Sequence, residues 1–383
     1  MKCVYPILFL LMRFACPVAA QTDTTETADE PVKKVKKETG FDRFNHKAEA
    51  LFRILPVPMY SHSTEAGDVF GLAKFNVLKL SRKDTVSKPS KLSEVFTIST
   101  NGHINASVST ELVFNQNKYI LISYVNYKRT PEYIFGIGND VSRDSLENVT
   151  EDRIKFVATG LRMVAKNLYA GPSVDVANYF GIVPDSNSFL IRNNVTGLHG
   201  GWNVGLGASA AYDTRDNRYN ASKGEYIIAT VLLYPYFLGS DYQYGRFELD
   251  ARKFFVPWLK HIIAFQATTT ATWNDVPFYE LALLGGDSKM RGYYLGALRD
   301  KVLVDAQVEY RMPVWNIFGV TGWLATGRVG PYYGSLSPDG FRFSYGLGLR
   351  IKVDSKSNTN LRFDFGFGPH NVQGFYINFG EAF

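Results

Sequence analysis

The feature that most constrains this chain is an unbroken period of two. Phe341, Phe343, Tyr345, Leu347, Leu349, Ile351 and Val353 alternate with Arg342, Ser344, Gly346, Gly348, Arg350 and Lys352. A strand sends successive side chains to opposite faces, so this stretch reads as a strand with one apolar face and one of charges and glycines. Leu361, Phe363, Phe365 and Phe367 against Arg362, Asp364, Gly366 and Gly368 repeat the pattern. So do Val304, Ala306, Val308 and Tyr310 against Asp305, Gln307, Glu309 and Arg311. Strands of a soluble sandwich run about 5–6 residues. The strands here run about 9 to 15, the length that crosses a bilayer when tilted. A face mixing guanidinium, carboxylate and glycine suits a wet lumen, and an aromatic face suits lipid with interfacial girdles. In lipid every backbone group is paired within the protein, so the β solution is a closed antiparallel barrel.

About fifteen candidate strands follow from this pattern between residues 67 and 383, the first near 67–80 and the last near 373–383. Single-chain barrels of this kind carry an even number, so the expected fold is all-β, a transmembrane antiparallel barrel of about 16 strands. The missing strand is expected in the irregular stretch 131–197.

The ends differ from the middle. Lys2 precedes a mostly apolar run, Val4 to Phe14, and Pro17-Val18-Ala19-Ala20 closes on small residues. Residues 1–20 therefore read as a signal peptide, since the apolar run is too short to span and Arg13 interrupts it. Cys16 suggests lipoprotein processing, but Arg13-Phe14-Ala15 fits that signal poorly. Residues 21–55 read as a periplasmic linker. Its first half is Thr, Asp, Glu, Lys and Pro, too polar to offset ordering entropy. Phe44, Ala48, Leu51, Phe52 and Leu55 then have near-helical spacing, with Pro56 and Pro58 ending the helix. The barrel is assigned to residues 56–383.

Composition removes several classes of function. Both cysteines, Cys3 and Cys16, lie in the expected signal, so the mature chain offers no disulfide, thiolate metal site or cysteine nucleophile. The net charge of +6 falls to +4 without Lys2 and Arg13, with no concentrated basic footprint for nucleic acid. The six histidines (His46, His62, His103, His199, His261, His370) show no metal-ligand spacing, and no Gly-x-Ser-x-Gly elbow occurs. No catalytic residue, cofactor or metal is expected, and the chain does not read as an enzyme.

Several segments resemble one family in order. Leu284-Gly285-Gly286-Asp287-Ser288-Lys289-Met290-Arg291-Gly292-Tyr293 looks like the inward-folded long loop of BamA/TamA-type (bacterial surface antigen) outer-membrane barrels. Asp300-Lys301, Glu309-Tyr310-Arg311 and Pro313 follow it as in that family. Tyr212-Asp213-Thr214-Arg215-Asp216-Asn217 with Gly224 is similar to its mid-barrel turn. Phe375, Asn378, Gly380 and the terminal Phe383 resemble its final-strand insertion signal. The resemblance runs from about residue 50 to 383.

It implies an integral, multi-pass protein of the Gram-negative outer membrane, inserted by outer-membrane assembly machinery. It also implies a lumen-loop motif of Met290, Arg291, Gly292 and Tyr293 whose arginine meets an acid on a late strand. Asp364, on the lumen register, is the expected partner of Arg291, since a guanidinium inside a barrel needs a carboxylate. Asp364 paired with Arg342 or Arg350, or Arg291 as a surface-loop residue, are the alternatives. Phe383 as an ordinary last-strand aromatic is the alternative to a recognised signal. The family's periplasmic receptor (POTRA) domains find no room between the expected signal and the first strand, so this reads as a form lacking them.

Three functions stay open. The barrel inserts or translocates unfolded outer-membrane or secreted client proteins through a weak seam. It conducts small solutes through a lumen lined by Arg342, Arg350, Asp305 and Glu309. Or it is a structural, partner-binding barrel. An inward loop makes a wide open pore the least natural of these.

Overall fold

The computed structural model describes residues 56–63, 67–81, 83–84, 86–141, 146–218, 220–354, 359–369 and 372–383. The expected signal peptide and the helix before Pro56 lie outside them. In chain order the strands are β1 Val57–Ser63, β2 Gly67–Leu78, β3 Ser90–Ser99, β4 Ile104–Phe114, β5 Tyr119–Ile134, β6 Glu147–Ala165, β7 Leu168–Pro184, β8 Gly201–Asp213 and β9 Gly224–Tyr234. They continue with β10 Tyr244–Phe255, β11 Ile262–Asn274, β12 Ala282–Leu284, β13 Leu298–Asp300, β14 Val302–Trp315, β15 Phe318–Gly330, β16 Arg342–Asp354, β17 Thr359–Gly368 and β18 Val372–Phe379.

All but β12 and β13 form one 16-stranded sheet in sequence order, each strand antiparallel to the next. The sheet curls until β1 lies beside β18, making a nearly closed barrel. The count of 16 is the expected one, but the place of the missing strand is not. The stretch 131–197 holds extensions of β5, β6 and β7, and the additional strand is β1. Its seven residues contain Pro58, which cannot donate a ladder bond and suits an edge strand.

Alternation sets the two faces. On β16 Leu347 is 70% exposed on the outer face and Ser344 is 1% exposed on the inner one. The three longest connections, after β5, β7 and β11, emerge at one end of the barrel. Two-residue turns at Lys166-Asn167 and Asn316-Ile317 lie at the other, with Asn167 and Asn316 at positive φ. Asparagine tolerates that left-handed backbone better than most residues.

The lumen is filled. The segment after β11 folds inward and carries the hairpin β12–β13, a separate two-stranded sheet. Residues 298–313, which the alternation presents as one strand, are thus split. Leu298–Asp300 pair back onto Ala282–Leu284, and only Val302 onward joins the barrel. Ala282, Leu284, Met290, Tyr293 and Leu298 pack on Leu303, Ala325 and Val329 of the wall. Near the long-loop end, Phe278, Tyr279 and Leu281 join Tyr179, Leu190, Tyr234 and Tyr244 in a second cluster. Tyr179 stacks on Tyr279 at 3.8 Å and Tyr234 on Tyr244 at 4.1 Å. Leu190 reaches that cluster from a single helical turn, Phe189–Arg192, capped by Ser188.

Candidate functional site

The inward segment turns at Met290-Arg291-Gly292, with Met290 at φ 44° and Gly292 at φ 110°. Gly292 lies directly on the wall. A Cβ there would sit 2.9 Å from Gly366 C and from Phe367 N, so only glycine allows this approach. Its N–H donates to Tyr376 Oη on β18 at 3.1 Å. Met290 is buried against β14 and β15, and Tyr293 packs by Gly368 and Val372 at the loop end of β17–β18.

The backbone so fixed presents Arg291 to the inner wall, fully buried. Nη1 donates to Asp364 Oδ2 on β17 at 2.7 Å, and Nη2 donates to Glu309 Oε2 on β14 at 2.5 Å. The guanidinium lies 3.7 Å over the Trp323 ring of β15, and the Arg291 carbonyl accepts from Ser344 Oγ on β16. One loop residue thus bridges four consecutive strands.

Asp364 does not belong to Arg291 alone. It also accepts from Arg350 Nη1 at 2.5 Å and Arg362 Nη1 at 2.9 Å. Arg342 instead donates to Asn139 O at 2.9 Å. Glu309 accepts in turn from Arg311 Nε at 2.7 Å. The motif reading named Arg291, Asp364 and the Glu309-Tyr310-Arg311 run. It missed Arg362, Trp323 and Glu381 as members of the same network. Arg362 and Trp323 were recoverable from the alternation, since both fall on the inner face, whereas Glu381 follows the last strand and carries no periodic signal.

The C-terminal residues separate into two groups. Phe375 is on the outer face, its ring 4.5 Å from that of Phe365. Asn378 donates to Asp287 Oδ2 of the loop at 2.5 Å. At Gly380 the backbone takes φ 84° and its N–H donates to Asn360 O at 2.7 Å, after which the chain turns into the barrel mouth. Glu381 is buried there and accepts from Arg350 Nε at 2.8 Å and Asn360 Nδ2 at 2.6 Å. Burial raises its pKa, but the Arg350 and Arg311 guanidinium groups outweigh burial and the repulsion from Glu309, so the carboxyl is held below its ordinary range. Phe383 is buried against Phe254, Ala221 and Ala264, and its carbonyl oxygen accepts from Arg311 Nη2 at 2.9 Å. It is therefore not a lipid-facing end of the last strand.

A second charge cluster holds the long-loop side of the segment. Glu280 meets Arg246 Nη1 at 2.5 Å, Tyr179 Oη at 2.8 Å and Lys155 Nζ at 3.2 Å. Burial raises the Glu280 pKa, yet Lys155, Arg246 and the Tyr179 hydroxyl together hold it at about 2. Between the two clusters lies a chamber of about 750 Å³, bounded by the segment, by β5 and β6, and by Gln373 to Asn378 of β18.

The seam completes the picture. β1 and β18 lie side by side, but among the described residues no ladder pairs them. The chamber reaches both edges, through Met59 of β1 and through β18. Among the described residues no group of His, Cys, Asp and Glu has the arrangement of a metal site.

Lipid-length strands, an apolar outer face, a lumen plugged by an inward segment and a seam without a ladder among the described residues define an outer-membrane β-barrel. Residues 92–383 match the Omp85 superfamily domain, and the chain belongs to that superfamily. It is an integral outer-membrane protein crossing by strands, which places the two-residue turns in the periplasm and the long connections outside. Among solved structures it is similar to BamA from Haemophilus ducreyi lacking POTRA domains 1–3, at 14% identity and a TM-score of 0.53, over 85% of this chain and 68% of that one. It is also similar to CdiB from Acinetobacter baumannii, at 11% identity and a TM-score of 0.50, over 85% of this chain and 57% of that one. At such identities the likeness is one of fold. No protein of curated function matches the sequence.

Proposed function

We propose that this barrel inserts or translocates other proteins at the outer membrane, working on unfolded outer-membrane or secreted clients. The observation that carries the reading is the unpaired seam. Free strand edges template additional strands, and a barrel otherwise abolishes its edges. Here β1 and β18 are short, seven and eight residues, and no ladder joins them to each other among the described residues, while each is laddered to its other neighbour. The inward segment supports this reading over a solute channel. Asp305, Glu309 and Arg350 are buried in contacts rather than lining an open path.

Within this proposal Met290, Arg291, Gly292 and Tyr293 hold the segment against the wall from β14 to β18, with Asp364 and Glu309 as the acceptors of Arg291. Phe375, Asn378, Gly380 and Phe383 form the signal by which assembly machinery recognises the chain during its own insertion. Quantitative outer-membrane proteomics after depletion of the protein tests the function. Loss of several unrelated barrels is expected, and an unchanged membrane proteome refutes the assembly reading.

A further inference from the structure

The chamber beside β18 is lined by several basic side chains that no carboxylate among the described residues holds closely. Five cations and four carboxylates line it, and each carboxylate is already engaged. Glu280 is shared by Lys155 and Arg246, and Glu248 meets Arg246 at 2.7 Å. Glu132 is held by Arg299 at 3.2 Å, and Asp287 meets Arg362 at 3.7 Å and Asn378 at 2.5 Å. Lys155 is further neutralised by Asp175 at 3.0 Å.

Three cations remain. Arg153 donates to Asn126 Oδ1 at 2.7 Å and lies 5.9 Å over the Tyr179 ring. Among the described residues it makes no ion pair, and its buried Nε has no hydrogen-bond partner. Lys289 of the loop donates to Thr268 Oγ1 at 3.1 Å and makes no ion pair among the described residues. Lys128 lies 3.9 Å from Glu132, whose carboxylate Arg299 already holds more closely.

These three cations sit beside a strand edge that has no ladder partner among the described residues. Six consecutive residues of β18, Gln373 to Asn378, line the chamber, and among the described residues β18 has a ladder partner on its β17 side only. An unpaired edge offers backbone N–H and C=O groups to an extended chain, and pockets beside it select alternate side chains of that chain. The chamber falls within the roughly 300–1,000 Å³ of ordinary ligand sites. Small anions would engage the cations but leave the edge unused.

We propose that the chamber receives an extended polypeptide segment rich in Asp or Glu, laid along the free edge of β18, with its carboxylates on Arg153, Lys289 and Lys128. This rests on the protein-handling function proposed above and names the chemistry of the client segment. A charge-assisted hydrogen bond that replaces a neutral one on a partly desolvated cation changes affinity by about tenfold.

The test uses the whole protein in nanodiscs of zwitterionic lipid and fluorescein-labelled peptides in which Val alternates with Glu, with Gln or with Lys. Fluorescence anisotropy is expected to show the Glu peptide binding about tenfold more tightly than the Gln peptide, with the gap narrowing as salt screens the charges. The double variant Arg153→Gln, Lys289→Gln should erase the preference, and Arg153→Lys should keep most of it. Heat-modifiable migration of each variant shows that the barrel is folded. Equal binding of the Glu and Gln peptides overturns the proposal, as does a preference that survives the double variant. Competition by free glutamate at the peptide's own concentration also overturns it, by making this a small-anion site. A charge preference together with an unchanged proteome after depletion refutes the assembly function and leaves the chamber assignment standing. No preference together with a depleted proteome refutes the chamber assignment alone.

Discussion

Breaking the Arg291 contact from either side should give unequal results. The buried network holds four guanidinium groups, Arg291, Arg311, Arg350 and Arg362, against three carboxylates, Glu309, Asp364 and Glu381. Arg291→Met removes two charge-assisted hydrogen bonds of about 1.5–3 kcal/mol each and a desolvated cation–π contact of about 2 kcal/mol. It also leaves three cations facing three carboxylates, all still in contact, so no buried charge is orphaned, and the cost of desolvating the Arg291 guanidinium is no longer incurred, which brings the net cost to loop docking to about 3 kcal/mol. Asp364→Ala strips one acceptor from three guanidinium groups and leaves four cations facing two carboxylates. Breaking a buried pair this way costs about 3–5 kcal/mol, and repulsion adds to it, so Asp364→Ala should be worse by about 2 kcal/mol. The swap Arg291→Asp with Asp364→Arg should not rescue, because the new guanidinium at 364 would face Arg350 and Arg362. Hydrogen exchange at the loop amides of Gly286, Tyr293 and Gly296, which donate within the segment, reads the opening free energy directly. An Arg291→Met cost equal to or above that of Asp364→Ala, or rescue by the swap, refutes the shared-acceptor reasoning.

Gly292→Ala should release the loop, because its Cβ would meet the β17 backbone and its φ of 110° adds strain of about 1–3 kcal/mol; increased protease cleavage near Lys289 checks this. Gly366→Ala should do the same from the other side, its Cβ falling 2.6 Å from Arg291 C, and unchanged proteolysis of both variants would count against close backbone contact as the anchor. Glu280, held at about 2 in the folded protein against about 4.3 in an unfolded chain, contributes stability that is fully present above pH ~4.3 and lost as pH falls through about 2. Loop protection measured by hydrogen exchange should therefore be flat between about pH 5 and 8, and release within that range would contradict the assignment.

The alternation made the barrel legible because the rule is local: each residue of a long strand votes for one face. Asp364 was accessible by the same register, and Arg291 by the resemblance of its loop motif. Where the local rule weakens, the reading fails. β1 has seven residues and Pro58, which also reads as a helix terminator. Arg299-Asp300-Lys301 are three charges in a row and cannot reveal that the chain leaves β13 there and enters β14. That Asp364 serves three guanidinium groups is a property of neighbouring strands, with Arg350 and Arg362 opposite each other in the β16–β17 ladder. No one-dimensional pattern records that pairing. The loosely paired cations of the chamber are hidden for a related reason, since Lys128, Arg153 and Lys289 look like many other basic residues until the ion pairs around them are assigned.

The burial of Phe383 bears on its proposed role as an insertion signal. In the folded barrel its ring packs on Phe254 and Ala264 and its carbonyl is held by Arg311, so a machine can read it only before the tail turns inward. Recognition and native packing are then separable by mutation. Deleting Phe383 removes both, and should abolish insertion in cells while permitting refolding in detergent, where no machine is needed. Glu381→Gln leaves Phe383 in place but removes the carboxylate between Arg350 and Arg311, at a cost of about 3–5 kcal/mol for breaking a buried pair. That variant should insert at normal yield with a tail open to carboxypeptidase. A chain lacking Phe383 that inserts normally would refute the signal. A Glu381→Gln chain that fails to insert would mean that the folded tail, rather than its recognition, limits assembly.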